Sequence, residues 1–478
     1  MSADAQILIV VGVYMALLLA LGALAGRRTR SPVEFFLAGR SLGAWVTGVS
    51  STASSESGWV VLGAVGMAYT QGVGALWFAP GCLMGYWVNL YFLAPRLRRL
   101  AADSGALTLP DCLVALFGDR GHLLRASSSL VVLVCLAGYL AAQMTATGKA
   151  MQAVVGLEYQ HGIWLGGAII VLYTLVGGFR AVSWTDLLQG LIMVFALVLM
   201  PLLALAAAGG YGPVLDGLAE VDPALVSVTA GKGGFALFGF LIGLVGIGLG
   251  YPGQPHVITR YMAAASEEKI RQTQLIGMVW GVLVFYGAGL LGLAGRLAMP
   301  GLDDPEQLFP LLARQLLPPL LAGLMLAAVL SAIMSTVSSQ LLVAASTVSR
   351  DLLEGVFRVA RSGRASVLAG RLSVLGLGIA AMLVASGDVR AVFWFVLFAW
   401  SGLGAAFGPV LLLGLFTRRL ERVGAAAGIA TGFGVTVVWK LTGLSDTVIY
   451  ELVPAFLLAG LVALGVSAVR LRGSRPRA

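Results

Sequence analysis

The feature that most constrains this chain is a long series of apolar stretches, each long enough to cross a lipid bilayer. A membrane-spanning helix needs about 20 mainly apolar residues. Windows of that length mark about thirteen spans, near residues 6–26, 44–70, 73–95, 124–154, 162–178, 186–209, 234–254, 273–297, 318–347, 368–386, 390–415, 422–441 and 448–469. Because 59% of the 478 residues are hydrophobic and only 11% are charged, the sequence predicts an all-α polytopic membrane protein.

The distribution of Lys and Arg predicts how these spans are oriented. No basic residue precedes the first span, whereas Arg27, Arg28 and Arg30 follow it, so this span is predicted to be a retained helix with its N-terminus outside. The inner loops then contain most of the basic residues, Arg260 among them, and the basic C-terminal tail is cytoplasmic. The outer side has Lys149, Lys232, Arg296, Arg314, Arg390 and Lys440. The predicted location is a bacterial-type cytoplasmic (inner) membrane.

Several functional classes find no support in the sequence. The net charge of +9 does not indicate nucleic-acid binding, because the arginines lie in short loops without interleaved base-stacking aromatics. Cys82, Cys112 and Cys135 are too scattered for a disulfide scaffold, and no Cys/His grouping suits a transition metal. We recognise no nucleophile–base pair and no phosphate loop, so the chain is not predicted to be an enzyme. Transport would then be driven by a gradient.

Two spans are interrupted by residues that break helices. The second span contains the polar segment Gly48–Gly58, and the seventh contains the Gly- and Pro-rich segment Gly243–Pro255. Glycines also permit close helix packing, but that does not explain a polar segment and a Pro-Gly-Gln-Pro sequence lying five spans apart. Broken helices in corresponding positions indicate inverted five-helix repeats around a central site. We therefore predict two broken helices.

A hydroxyl-rich segment, Ser331–Gln340, lies inside the apolar run Pro319–Ala345. At 3.6 residues per turn, one helical face presents Ser331, Ser335, Ser338 and Ser339, with Thr336 beside it. Such hydroxyls can bond to the preceding turn, join helices, or replace the water shell of a small hard cation. Taken alone, contact between helices is the more common role. The rest of the sequence favours the cation.

Two carboxylates lie in apolar spans, where ionisable groups are costly and often functional. Glu56 follows Ser54-Ser55. It either lines a cavity, titrates or lies near an ion, or it caps a broken half-helix or pairs with a polar residue. Asp186 begins the sixth span, where a capping role with Thr185 or Ser183 is the simpler interpretation. The aromatic residues Trp59, Tyr139 and Tyr251 lie in or beside the suspected cavity, where packing is the commoner role.

Blocks of sequence from about residue 30 to 460 resemble the sodium:solute symporter family, and in particular its bacterial proline-transporting branch. The blocks are Ser41–Trp45, Ser57–Trp59, Ala181–Asp186, Gly248–His256, Ala332–Leu342, Gly404–Pro409, Trp439–Lys440 and Tyr450–Glu451. The resemblance implies a LeuT-like fold of thirteen helices and alternating access, with sodium entering alongside the solute.

The resemblance also implies site residues. The main sodium site would use the backbone carbonyls of Ala53, Glu56 and Ala332 with the hydroxyls of Ser335 and Thr336. A second sodium site, present in some members, would use Asp186, Ser335, Ser338 and Ser339. The solute cavity would be lined by Ser55, Ser57, Trp59, Tyr139 and Tyr251. To these five we add Glu56, from its position in the same polar segment.

Two positions depart from the proline carriers. Ser55 replaces an aspartate, with Glu56 next to it, and Ile247 replaces a tryptophan four residues before Tyr251. A carboxylate moved by one residue points about 100° away on a helix, so it need not have the same role. Loss of the indole enlarges or reshapes the pocket.

We therefore expect a sodium-coupled symporter of a small organic solute, an amino acid such as proline, with no organic cofactor and no nucleic-acid partner. The alternatives are a proton-coupled symporter that uses Glu56 and a transporter-like membrane sensor. The predicted organisation has an N-terminal helix and interfacial segment in 1–42 and repeats in 43–209 and 210–415. Two C-terminal helices and a basic tail follow in 416–478.

Overall fold

The structure is a computed structural model that describes residues 1–27, 29, 31–119, 122–359, 363–387, 392–417 and 419–473. In these residues the regular elements are helices, and the only β-bridge is an isolated one between Leu42 and Ala264. Arg28, Arg30, Arg120, Arg361, Arg390, Arg418 and the end of the basic tail (474–478) lie outside the described residues.

The helices are numbered in chain order. They are α1 (Ala3–Gly26), α2 (Pro32–Leu37), α3 (Ala44–Gly58), α4 (Ala64–Gln71), α5 (Phe78–Trp87), α6 (Ala94–Ser104), α7 (Leu109–Phe117), α8 (Leu123–Val155), α9 (Tyr159–Ala207), α10 (Tyr211–Val221), α11 (Gly234–Gly246), α12 (Pro255–Ala263), α13 (Glu267–Ala298), α14 (Leu308–Leu316), α15 (Pro319–Ser346), α16 (Gly363–Ser386), α17 (Val392–Phe416), α18 (Arg422–Leu441), α19 (Leu444–Thr447) and α20 (Leu452–Gly473). Wide π-helical turns extend three of them, at Trp59–Gly63, Val88–Leu93 and Thr347–Val356.

Eleven helical stretches of the described chain are long and apolar enough to cross a membrane. Two of them are far longer than one crossing requires: Ala44–Ser104 has 61 residues and Tyr159–Ala207 has 49. Straight helices of those lengths would extend roughly 90 and 75 Å, against about 30 Å of hydrocarbon. The predicted count of thirteen spans stays a prediction, but both long stretches reverse direction.

The first reversal is at Gly72, whose φ of 67° and ψ of −148° are accessible mainly to glycine. From α3 to α4 the chain runs alongside α13. After Gly72 it returns alongside the same helix through α5. Three hydrogen bonds define this path, Thr273 to Ala44, Tyr69 to Met299 and Gln274 to Leu90. The start of α13 therefore touches both the beginning and the end of this hairpin.

The second reversal is at Gly178 in α9, with φ 56° and ψ −149°. Gly177 lies beside Thr29, just beyond the end of α1, whereas Gln189 bonds to Tyr14 in the middle of α1. The second half of α9 therefore runs back along α1. Asp186 lies two turns beyond the break, so the prediction that it begins and caps a span is wrong.

The two predicted helix breaks are confirmed. Ser57 has φ 52° and ψ −169°, which separates α3 from the wide turn that follows. Between α11 and α12 the chain forms a 3₁₀ segment, Ile247–Gly253. This segment lies against α5, and a side chain at Gly248 would place its Cβ 1.9 Å from the carbonyl oxygen of Gly81. Glycine is therefore required at this crossing.

Helix α15 is at the centre of the fold. Buried residues make up 83% of its most apolar window, and hydrogen bonds connect it to α1 and α9 through Tyr14 and Tyr173 and to α3 through Ser335 and Thr336. The short helices α10 and α14 lie in the connections between the long apolar helices.

Candidate functional site

A cavity with about 310 Å³ of empty space lies where the two broken helices meet α8 and α17. All six residues predicted for the solute cavity line it: Ser55, Glu56, Ser57, Trp59, Tyr139 and Tyr251. The breaks explain this arrangement, because the unwound segments carry consecutive side chains to one place. Four further lining residues are Ile247, Val396, Leu397 and Trp400.

Glu56 is the carboxylate of this cavity and is only 2% exposed. Its Oε1 accepts hydrogen bonds from the hydroxyls of Ser55 (2.8 Å), Tyr86 (2.5 Å) and Tyr251 (2.9 Å). Hydrogen bonds from three hydroxyls to one oxygen fix the orientation of the carboxyl group. Its other oxygen receives none of them. The Glu56 side chain is therefore held at the wall of the cavity by polar side chains and does not cap a half-helix.

Aromatic rings surround this carboxylate. Tyr251 makes edge-to-face contacts with Tyr86 and with Trp400, with ring centroids 4.8 Å apart in both pairs. The Trp400 indole donates to the carbonyl oxygen of Ile247 at 3.2 Å. An indole from α17 thus lies beside Ile247, where the resemblance implied the loss of a tryptophan.

Tyr86 and Trp400 were not predicted from the sequence. Both lie in helices that are remote from the broken segments along the chain, and nothing in their local sequence marks them. One signal was available for Trp400: Gly250 lies opposite it, and a Cβ there would be 2.0 Å from the indole nitrogen. A glycine in the unwound segment indicates that a large group approaches the backbone.

The predicted sodium ligands lie together between α3 and α15. The Ser335 hydroxyl is 3.3 Å from the Ala53 carbonyl oxygen and 3.2 Å from that of Ala332. The Thr336 hydroxyl is 3.0 Å from the Ser54 carbonyl oxygen and 3.3 Å from that of Ala332. All five residues are buried. This is an oxygen-only group, of the kind that hard cations prefer.

The fifth predicted ligand, the Glu56 carbonyl, is at the end of the same helix, where the chain breaks at Ser57. It accepts the backbone N–H of Trp59. The Ser54 carbonyl, which was not among the predicted ligands, accepts a hydrogen bond from the Thr336 hydroxyl.

The predicted second sodium site contains a buried ion pair. Asp186 Oδ2 lies 2.7 Å from Arg260 Nη2 and accepts the Ser50 hydroxyl at 2.7 Å. The Arg260 guanidinium also donates to Ser50 at 2.9 Å, to Ser339 and to the carbonyl oxygen of His256. Both charged side chains are fully buried. The guanidinium therefore bridges two of the four predicted ligands.

The remaining two predicted ligands are joined to each other, because the Ser338 hydroxyl donates to the Ser335 carbonyl at 3.2 Å. The prediction that Arg260 lies in an inner loop is wrong. The break after α11 allows the short helix α12 to fold back into the core. The polar segment that follows the seventh predicted span is therefore a buried helix rather than a loop.

The sequence matches a model of the sodium:solute symporter family over residues 35–432. The chain belongs to this family. The symporter is 39% identical over 445 residues to the high-affinity proline transporter of Bacillus subtilis, covering 92% of this chain and 93% of that one. It is 36% identical over 487 residues to the sodium/proline symporter of Escherichia coli, covering 100% and 95%.

Two solved structures show the same fold. A Na⁺-coupled sialic acid symporter in a substrate-bound outward-open state aligns with a TM-score of 0.83 at 20% identity, over 97% of this chain and 98% of that one. A nucleobase-cation-symport-1 family transporter in a closed conformation aligns with a TM-score of 0.59 at 15% identity, over 93% and 95%. The fold of the symporter is therefore LeuT-like, as predicted, and its family makes it a sodium-coupled secondary transporter of a small solute.

Proposed function

We propose that this symporter uses the sodium gradient to take up proline. The observation that carries the proposal is near full-length similarity to proline transporters of both Bacillus subtilis and Escherichia coli, at 39% and 36% identity. The family and these relatives favour sodium over proton coupling through Glu56 and over a sensor. We also infer that the N-terminus is outside, from the distribution of basic residues.

The chemistry of the cavity suits this solute. Proline has a secondary ammonium, a carboxylate and an apolar ring. Glu56 supplies an anion for the ammonium, and the faces of Trp59, Tyr139 and Trp400 supply apolar and cation–π surface for the ring and the charge. The backbone N–H groups at the broken helix ends are suited to the carboxylate. In this arrangement Glu56 takes the place of the aspartate that Ser55 replaces.

The sodium ion would bind the carbonyls of Ala53, Glu56 and Ala332 with the hydroxyls of Ser335 and Thr336. Binding there joins α15 to the end of α3, and α3 also carries Ser55 and Glu56 into the solute cavity. An ion that fixes this end of α3 orders the cavity, so solute affinity rises with sodium. By linkage, solute must raise sodium affinity by the same factor. A second ion at Asp186 and Ser339 would have to share that site with Arg260.

The test is uptake of radiolabelled proline into proteoliposomes with and without an inward sodium gradient. Sodium-stimulated uptake is the expected result. Unlabelled amino acids added as competitors would identify another solute if proline is not taken up. Uptake that is indifferent to sodium and follows a proton gradient would contradict the proposal.

A further inference from the structure

A groove with about 830 Å³ of empty space opens on the surface of the helix bundle, at the end that the sequence predicts to be inner. It is lined by Thr29, Arg364, Val367, Leu368 and Arg371. Thr29 follows α1, and the other four residues lie at the beginning of α16. Because α1 and α16 both pack against α9 and α15, the groove is the gap between the inner ends of two helices. It shares no residue with the solute cavity.

Two arginines line this groove, and it contains no acidic residue to neutralise them. In the part of the chain that the structure describes, Arg364 and Arg371 form no ion pair and donate no hydrogen bond. Arg371 is half-buried, and its Nε is buried without a hydrogen-bond partner among the described residues. A guanidinium keeps its charge in a protein and presents five N–H donors. The groove therefore offers positive charge and unused donors to a ligand.

The helix itself gains nothing from these two charges. The N-terminal end of a helix carries a partial positive charge, so basic side chains in its first turns are unfavourable there and an anion is favourable. Helix α16 has 24 residues, begins at Gly363 and has Arg364 as its second residue. The position of the arginines is thus explained by a negatively charged partner better than by the stability of α16.

The short helix α2, in the segment predicted to be interfacial, fixes the position of Arg371. A Cβ at Gly370 would lie 2.9 Å from the ring of Phe36 and 3.0 Å from that of Phe35, so α16 crosses α2 closely. The Arg371 guanidinium lies 6.0 Å from the centre of the Phe35 ring. The carboxylate of Glu34 accepts the Ser31 N–H at 2.9 Å in the capping box of α2. The basic end of the groove therefore lies at the level of lipid headgroups.

An apolar stripe continues from the arginines along α16. Its side chains are spaced by three or four residues and are between 39% and 59% exposed: Leu368, Leu372, Leu375, Ile379 and Leu383. On the surface of a membrane protein, such a stripe contacts acyl chains. A basic groove at one end and an apolar stripe beyond it match the two parts of a phospholipid.

We propose that this groove binds an anionic phospholipid of the inner leaflet. The phosphate lies between Arg364 and Arg371, whose Cα atoms are about 10 Å apart along the helix axis, and the acyl chains follow the leucine stripe. A zwitterionic headgroup would bring an ammonium beside two guanidiniums without an acid to receive it. Basic pockets between helices on the cytoplasmic side suit anionic headgroups. This inference holds whichever solute is transported.

The experiment is the thermal unfolding of the purified full-length protein in detergent, titrated with dioleoylphosphatidylglycerol, dioleoylphosphatidylcholine or glycerol 3-phosphate. A ligand that binds the folded state raises the melting temperature. Phosphatidylglycerol should act at lower concentration than phosphatidylcholine, and glycerol 3-phosphate should have no effect. One basic side chain near a charged lipid is worth about fivefold in affinity. Arg364→Gln with Arg371→Gln should therefore raise the half-effect concentration of phosphatidylglycerol about 20- to 30-fold and leave phosphatidylcholine unchanged.

Matched variants separate the groove from net charge and from folding. Arg271→Gln with Arg419→Gln removes two exposed arginines of the predicted inner side that do not line the groove, and should leave the phosphatidylglycerol titration unchanged. Arg364→Lys with Arg371→Lys keeps both charges and should restore most of the effect, because a phosphate also binds Lys as a point charge. Native mass spectrometry gives a readout that does not depend on stability: the wild type should retain one more phosphatidylglycerol than the double Gln variant.

Several results would overturn the proposal. The two double Gln variants could respond to phosphatidylglycerol alike, or phosphatidylcholine could stabilise the wild type as well as phosphatidylglycerol does. An effect of glycerol 3-phosphate equal to that of the lipid would mean a site for free phosphate instead. If the double Gln variant does not fold, Arg364→Gln alone changes only an exposed side chain and should raise the half-effect concentration about fivefold; an unchanged value refutes the site.

Discussion

The buried ion pair between Asp186 and Arg260 gives the sharpest test of how this core is held together. Replacing Asp186 by Asn keeps the shape of the side chain and removes its charge. Arg260 then stays buried with only the neutral acceptors Ser50, Ser339 and the His256 carbonyl. Breaking a buried pair by removing one partner costs about 3–5 kcal/mol. Since three acceptors remain, we expect about 3 kcal/mol, a loss of roughly a hundredfold in the folding equilibrium.

The assay is the free energy of unfolding of the purified full-length protein in detergent. Asp186→Asn, Arg260→Met and the double variant form a cycle whose coupling energy should be about 2 kcal/mol or more, because the double variant buries no unpaired charge. Asp4→Asn is the matched control: its partner Arg314 lies 3.1 Å away, but Asp4 is 76% exposed, so the cost should be below about 0.5 kcal/mol.

Two results would refute the reasoning. Asp186→Asn could prove no more destabilising than Asp4→Asn. Alternatively, the double variant could lose the sum of the two single losses, which would mean that the two side chains act independently.

Three further predictions concern transport and packing. Ser335→Ala with Thr336→Ala removes the two proposed hydroxyl ligands of sodium, so the sodium concentration for half-maximal uptake should rise at least tenfold (about 1.4 kcal/mol or more), and an unchanged value contradicts the proposed site. Gly248→Ala forces a Cβ to 1.9 Å from a carbonyl oxygen of α5 and should destabilise the detergent-solubilised protein by about 3 kcal/mol or more, whereas Gly376→Ala, with no atom within 4 Å, should be neutral or stabilising in a melting assay. Glu56→Gln keeps an acceptor oxygen but loses the charge, so the solute concentration for half-maximal uptake should rise while uptake is still driven by a sodium gradient; wild-type uptake that follows a proton gradient and is lost in this variant would support proton coupling instead.

The broken helices could be predicted because their cause is local. A glycine, proline or short polar residue changes the backbone at its own position, so the segments around Ser57 and Ile247–Gly253 are recognisable in the sequence. The hydroxyl face of α15 is equally local, since it depends only on helical periodicity. The spacing of five spans then related these segments to each other, and the resemblance to a family added most of the six residues that share one cavity.

The missed features depend on contacts between distant parts of the chain. Arg260 is 74 residues from Asp186 in the sequence. A hydropathy window assigns a short polar helix to the adjacent loop, whether or not that helix folds into the core. Trp400 and Tyr86 likewise meet the broken segments only through packing. The division of the chain at residues 43, 210 and 416 and the ion and solute ligands stay predictions.

The position of the buried pair along the chain has a consequence for biosynthesis. The ribosome makes Asp186 before Arg260 and before α12, so for that interval the carboxyl group is in the membrane without its partner. A carboxyl group can take up a proton and wait as a neutral group, whereas a guanidinium cannot lose its charge in a protein. The partner that can be neutralised is therefore synthesised first. When Arg260 is made, Asp186 and Ser50 of α3, its two partners in the folded protein, have already been synthesised.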